Sequence, residues 1–158
     1  MHREVPAVKL IFVVNDAPFF LSHRLPLALA AQREGFEVHV ATPPDPAVER
    51  IRAHGFLFHP LPLVRSGMQP WQELRTLTAL VSLYRRVRPD IVHHVTVKPV
   101  LYGGIAARIA GVPAVVSAVP GLGYLFIAPG PVAALRRRAV TLLYRFALGL
   151  PGSRVILQ

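Results

Sequence analysis

Two imidazoles, a hydroxyl and an ammonium fall within six positions of the stretch Asp90–Arg108, D-I-V-H-H-V-T-V-K-P-V-L-Y-G-G-I-A-A-R. The groups are His93, His94, Thr96 and Lys98. Ile91 and Val92 read as a short strand apolar on both faces, as in a parallel sheet covered by helices. Pro99 suits a first helical position, where its fixed φ fits and its missing N–H would have had no partner. A lysine, two imidazoles and a helix N-terminus should therefore converge at the carboxyl end of a central strand, where open α/β sheets bind ligands. An ammonium beside a helix N-terminus favours an anion, most simply a phosphate. The alternative is a routine strand–helix unit with a surface lysine and two loop histidines.

Other candidates must reach the same crevice. Asp16, at the tip of the first strand, can act as a general base or bind a hydroxyl, and is expected to face the same side as His94; the plainer reading is an Asx turn ending the strand. His23 and Arg24 open the first helix, and Arg24 can pair a phosphate bidentately. Arg65, after the third strand, is a further cation. A solvated surface position is the alternative for each. The first strand ends in N-D-A-P-F-F, without the glycines of a dinucleotide fingerprint, and G-L-G at 121–123 follows the fifth strand with Phe126 where a third glycine should stand. No metal site is expected, because His93 and His94 point to opposite sides of a strand and no carboxylate follows them. No serine sits in a nucleophile elbow.

The elements that position these groups alternate along the chain. Strands are predicted at 8–14, 36–41, 56–61, 91–95, 113–118 and 153–157. Helices are expected from a Ser22 cap to Gly35, over 44–53, over 70–87 with Leu74, Leu77, Val81 and Tyr84 inward, from Pro99 to Ala110, and over 131–148. This alternation predicts an α/β fold, a doubly wound, mostly parallel sheet with helices on both faces. The 158 residues suggest a single domain. The chain stops on an apolar strand, so we expect one half of a larger protein.

Composition narrows the partners. The absence of cysteine excludes disulfides and thiolate metal sites. The mean hydropathy of +0.43 raises a membrane question, but the longest charge-free run, 109–135, is broken by four prolines and four glycines and cannot form a spanning helix. No secretory signal is legible, and a cytoplasmic protein is expected. Residues 91–158 hold seven Lys/Arg and no acid, whereas the first ninety hold eleven against eight acids. So basic a half points to nucleic acid, anionic lipid or a phosphorylated ligand; without an interleaved aromatic motif, nucleic acid is disfavoured. Arg137, Arg138 and Arg145 form one side of the 131–148 helix, and Leu135, Ala139, Leu142 and Phe146 the other. Such a helix can lie on an anionic membrane, or it can pack its apolar side on the sheet. The loop 121–130 adds Tyr124, Leu125, Phe126 and Ile127 as candidate apolar contacts.

Taken in order, F-F-L-S-H-R-L-P-L-A (19–28), G-F-E-V-H-V-A-T (35–42), R-P-D-I-V-H-H (88–94), K-P-V-L-Y-G-G-I-A-A-R (98–108) and G-L-G-Y (121–124) resemble the amino-terminal domain of family 4 glycosyltransferases of bacterial surface-polysaccharide assembly. The resemblance implies a GT-B fold, two Rossmann-like domains across a cleft, of which this chain is the acceptor half. The donor-binding domain with its paired glutamates would be missing, and the fragment alone inactive. It implies sugar transfer from a nucleotide-sugar co-substrate, without metal or other cofactor, to a polyprenyl-diphosphate-linked or other surface-polysaccharide acceptor at the inner membrane face. Under it, His94 (or His93) approaches the donor sugar beside Asp16 as the catalytic groups. His23, Arg24, Arg65 and Lys98 become acceptor or phosphate contacts, and Asn15, Gly121 and Gly123 the donor-side loops. Arg137, Arg138 and Arg145 would contact an anionic membrane, with the protein peripheral to it. Relatives often carry Gly-Gly after the first strand, which this chain lacks. The competing expectation is a stand-alone membrane-docking subunit that recruits a separate catalytic partner.

Overall fold

The computed structural model describes residues 6–67, 69–119 and 131–157. Six strands, β1 (Lys9–Val13), β2 (Glu37–Thr42), β3 (Leu57–Pro60), β4 (Ile91–Val95), β5 (Ala114–Val119) and β6 (Ser153–Leu157), form one sheet in the order β3-β2-β1-β4-β5-β6. Every pairing is parallel, as expected from the alternation. The order reverses between β1 and β4, so the topological switch point lies at their carboxyl ends, where such sheets take ligands. Register fixes that edge: Phe12 lies beside His93 and Val13 beside His94.

Alternation along each strand divides the core into layers. On one face, Leu10, Phe12, Val14, Val38 and Val40 pack on α1 (Ala17–His23), α2 (Leu25–Arg33) and α3 (Val48–Ala53) through Phe20, Leu21, Ala28, Val48 and Ile51. On the other, Ile11, Val13, Val92 and Val115 pack on α4 (Pro70–Val87) and α5 (Val97–Ala110) through Leu80, Leu83, Tyr84, Ala106 and Ala107. The helix α6 (Pro131–Leu148) joins that second layer, with Tyr144 among Val100, Leu101 and Val119. Gly104 permits the approach, since a Cβ there would stand 2.7 Å from that of Ala147.

Three local expectations are corrected. The first helix is two: Asp16, not Ser22, caps α1, its Oδ1 accepting from the Phe19 N–H at 2.7 Å. Ser22 lies inside α1 and donates to the Pro18 carbonyl at 2.9 Å. Pro26 has no N–H to continue the ladder, which accounts for the break at Arg24. Secondly, α4 buries Thr76, Leu80, Leu83, Tyr84 and Val87 and leaves Leu74 half exposed. Of the expected row, Tyr84 is buried and Leu77 and Val81 pack against the same core; only Leu74 lies outside, its place taken by Thr76. Thirdly, α5 starts at Val97, two residues before Pro99.

Candidate functional site

Asn15 and Asp16 follow β1, and Thr96, Val97 and Lys98 follow β4, so both groups stand at the switch point. Asp16 uses both carboxylate oxygens. Oδ1 caps α1, and Oδ2 receives Arg65 Nη1 at 3.1 Å. The loop after β3 thus reaches across to the tip of β1. The Arg65 side chain is 68% exposed and that of Asp16 18%. Lys98 lies on the far side of the same loop and hydrogen-bonds to it; Asp16, Arg65 and Lys98 therefore belong to one assembly. Asp16 is placed to hold α1 and aim Arg65.

The two histidines of β4 separate, as a strand requires. His94 is fully buried on the α4–α5 side, where its Nε2 meets the Tyr84 hydroxyl at 2.8 Å. A Cβ on Gly103 would collide with the His94 ring. Burial and the neighbouring His93 push the His94 imidazole down to about 3. The expectation that His94 faces the crevice with Asp16 is therefore corrected: it is a neutral interior group. His93 points to the opposite face, edge-on to Phe12 at 5.3 Å. Burial and the Arg24 charge lower it to about 4. Arg24 is 9% exposed, and burial lowers its guanidinium also. His93 thus sits in a poorly solvated place on the α1–α2 side of β4, within electrostatic reach of Arg24.

Buried polar atoms near this edge without a hydrogen-bond partner among the described residues include Asn15 Oδ1, Thr96 Oγ1, His93 Nε2, His94 Nδ1 and Ser117 Oγ. Buried polar atoms are paired as a rule, so each such atom calls for a ligand or water. Thr96 is also strained, with φ 76° and ψ 166°, a region open essentially to glycine. Sequence reading placed Thr96 in the turn but gave it no role, and no residue-type signal marks a positive φ on a β-branched residue.

The remaining candidates lie apart. His23 is exposed, stacked on Phe19 at 4.2 Å and bonded to the Ser22 hydroxyl at 2.7 Å. Gly121 and Gly123 lie outside the described residues. On α6, Tyr144 and Ala147 turn inward, whereas Leu135 (71% exposed), Leu142 (63%) and Phe146 (45%) face outward with Arg138 and Arg145. Arg108 stands 4.2 Å over the Phe146 ring. Arg137 is half-buried beside that face. The leucines expected to pack inward or lie on a membrane are thus outside. Trp71 and Leu74, in the same helical layer, are likewise exposed. Among the described residues no helix is long and apolar enough to cross a membrane, and no group of three His, Asp or Glu is arranged to hold a metal ion.

The family model described as glycosyl transferase 4-like matches residues 9–150. A curated relative from Campylobacter jejuni, N,N'-diacetylbacillosaminyl-diphospho-undecaprenol alpha-1,3-N-acetylgalactosaminyltransferase, is 26% identical over 136 residues, covering 81% of this chain and 36% of its own length. Among solved structures, a glycosyltransferase from Rickettsia africae superimposes with a TM-score of 0.65 at 13% identity, covering 97% of this chain and 37% of that one. MurG of Acinetobacter baumannii gives 0.57 at 16% identity over 84% and 39%. UDP-GlcNAc 2-epimerase from Neisseria meningitidis gives 0.60 at 16% over 95% and 46%. At these identities the structures share the fold. The chain spans a little over a third of the curated relative it matches.

Proposed function

We propose that this chain, which belongs to the glycosyl transferase 4-like family, is the acceptor-binding part of a sugar transferase. In this reading the crevice between β1 and β4 holds the pyrophosphate of a lipid-linked saccharide, and a nucleotide-sugar supplies the sugar from across the cleft. The observation that carries the reading is the Arg65–Asp16 pair at the switch point. The Arg65 guanidinium is 68% exposed and has donors beyond the one given to Asp16, so a phosphate can join it from the solvent side without displacing the carboxylate. Charge-assisted, bidentate bonds to phosphate are the stronger kind. Arg24 adds a second guanidinium, from which burial has removed part of the screening water. His93 stays neutral at physiological pH and can accept a hydrogen bond from a sugar hydroxyl. The Campylobacter relative, whose name specifies a diphospho-undecaprenol acceptor, supports this substrate class.

The outward face of α6 suits the same acceptor. Leu135, Leu142 and Phe146 between Arg138 and Arg145 combine apolar insertion with attraction to anionic headgroups. A transferase resting on the cytoplasmic leaflet through this face meets its lipid-linked acceptor in the plane of the bilayer.

The test uses the complete protein. Arg65→Ala and Arg24→Ala should raise the acceptor KM about ten-fold or more, as expected for lost bonds to a charged group, and leave the donor KM within about two-fold. A fall in donor affinity with unchanged acceptor use would reverse the assignment. Flotation with liposomes should require anionic lipid and should weaken in Arg138→Glu/Arg145→Glu; binding indifferent to lipid charge would remove the membrane contact.

A further inference from the structure

We infer that Lys98 is a positioning residue: it clamps the loop between β3 and α4 so that Arg65 is presented to the tip of β1. The inference rests on the proposed function only in taking Arg65 as a ligand contact. A lysine ammonium has three hydrogens to donate and no acceptor. All three are engaged, with the Val64 carbonyl at 2.7 Å, the Gly67 carbonyl at 2.9 Å and Glu73 Oε1 at 2.6 Å. The first two bonds bracket Arg65. The third joins α5 to α4, with side chains only 18% and 14% exposed. Tyr102, one turn beyond Lys98, is hydrogen-bonded to the same Glu73, which with burial raises its hydroxyl above the usual range. Thr76, 2% exposed, holds the start of the loop with its one hydroxyl hydrogen, shared between the Pro62 carbonyl and the Gln72 carbonyl of its own helix, both at 3.0 Å.

The loop is otherwise exposed at Val64, Arg65, Ser66 and Gly67, and chain entropy would spread it over many conformations. Three attachments, at residues 62, 64 and 67, leave Arg65 the arm that reaches out. Were Lys98 to swing to a phosphate, Glu73 would lose its cation in a largely buried place, which is strongly unfavourable. The ammonium therefore acts through the loop, and the expectation that Lys98 touches phosphate directly is replaced.

Two measurements on this chain test the clamp. In wild type, amide order parameters of residues 63–67 should stand near those of a rigid backbone, about 0.85, and in Lys98→Met they should fall below about 0.6. A loop that stays rigid in Lys98→Met overturns the inference. Titration with inorganic pyrophosphate supplies the second measurement. Lys98→Met and Arg65→Ala should each weaken binding about ten-fold, and the double variant should weaken it no further. Additive losses would mean that Lys98 meets the anion itself, which also overturns the inference. If Arg65→Ala alone leaves binding unchanged, the acceptor-side reading of the crevice fails, and the order parameters still decide the clamp.

Discussion

His93 and His94 are adjacent on β4, yet the two sides of that strand are built differently. On the α4–α5 side His94 is enclosed: Tyr84 holds one nitrogen and Gly103 lies flat against the ring. On the α1–α2 side His93 touches Phe12, feels Arg24, and has a ring nitrogen with no partner among the described residues. Each ring keeps one nitrogen without a partner among the described residues, His94 Nδ1 as well as His93 Nε2; what differs is that His94 is wholly enclosed and bonded to Tyr84, whereas His93 lies within reach of the Arg24 charge. Under the proposed function the contrast makes His94 a packing residue and His93 the ligand contact, although the sequence presents them as a pair.

Substitution should separate the two. His94→Ala leaves a cavity and strands the Tyr84 hydroxyl, and should cost roughly 2–5 kcal/mol of unfolding free energy by denaturant titration. His93→Ala should cost clearly less and reduce transfer by the complete protein more. Equal stability losses with equal activities would erase the distinction. Gly103→Ala should cost about 1–3 kcal/mol through overpacking, and most of that cost should vanish in the His94→Ala background, where the ring it strikes is gone.

Acid provides a graded version of the comparison. His59, His93 and His94 are held at about 4, 4 and 3, all below the ordinary imidazole value of about 6.5. Between those values the unfolded chain binds more protons than the folded one, so stability must fall as pH drops from about 6.5 towards 4. Melting temperatures across that window should fall with pH, and less steeply in His59→Gln. A profile that rises towards acid would contradict the burial of these rings. The smallest effect is expected at Thr96. Thr96→Gly relieves the positive φ and should raise stability by about 1 kcal/mol, while weakening ligand binding if the buried Oγ1 is a contact. A destabilised glycine variant would show that the threonine packs favourably as it stands.

Much of this was legible in the sequence, and the parts that were not have a common cause. Apolar runs such as Leu10–Val14, separated by helices with a stop such as Gly35, give the parallel sheet from local signals alone. The switch point follows once β1 and β4 are taken as neighbours, and Asp16 and Arg65 were both candidates there. Sequence could not assign the sides. Which of two adjacent histidines faces the cleft depends on strand phase, and a shift of one residue exchanges them. The Lys98 bonds to Val64 and Gly67 join positions about thirty residues apart, through backbone carbonyls that carry no residue-type signature. On α6 the arginines were found, but the outward turn of Leu135 and Leu142 depends on how Tyr144 and Ala147 seat against α5.

The central claim is that the crevice at the tips of β1 and β4 binds the pyrophosphate of a lipid-linked acceptor. Its most direct test is a pyrophosphate titration followed by amide shifts of this chain. The account predicts saturable, salt-sensitive shifts concentrated at Asn15, Asp16, Arg24, Arg65 and residues 93–98. Shifts confined to the arginines of α6, with the crevice silent, would contradict it.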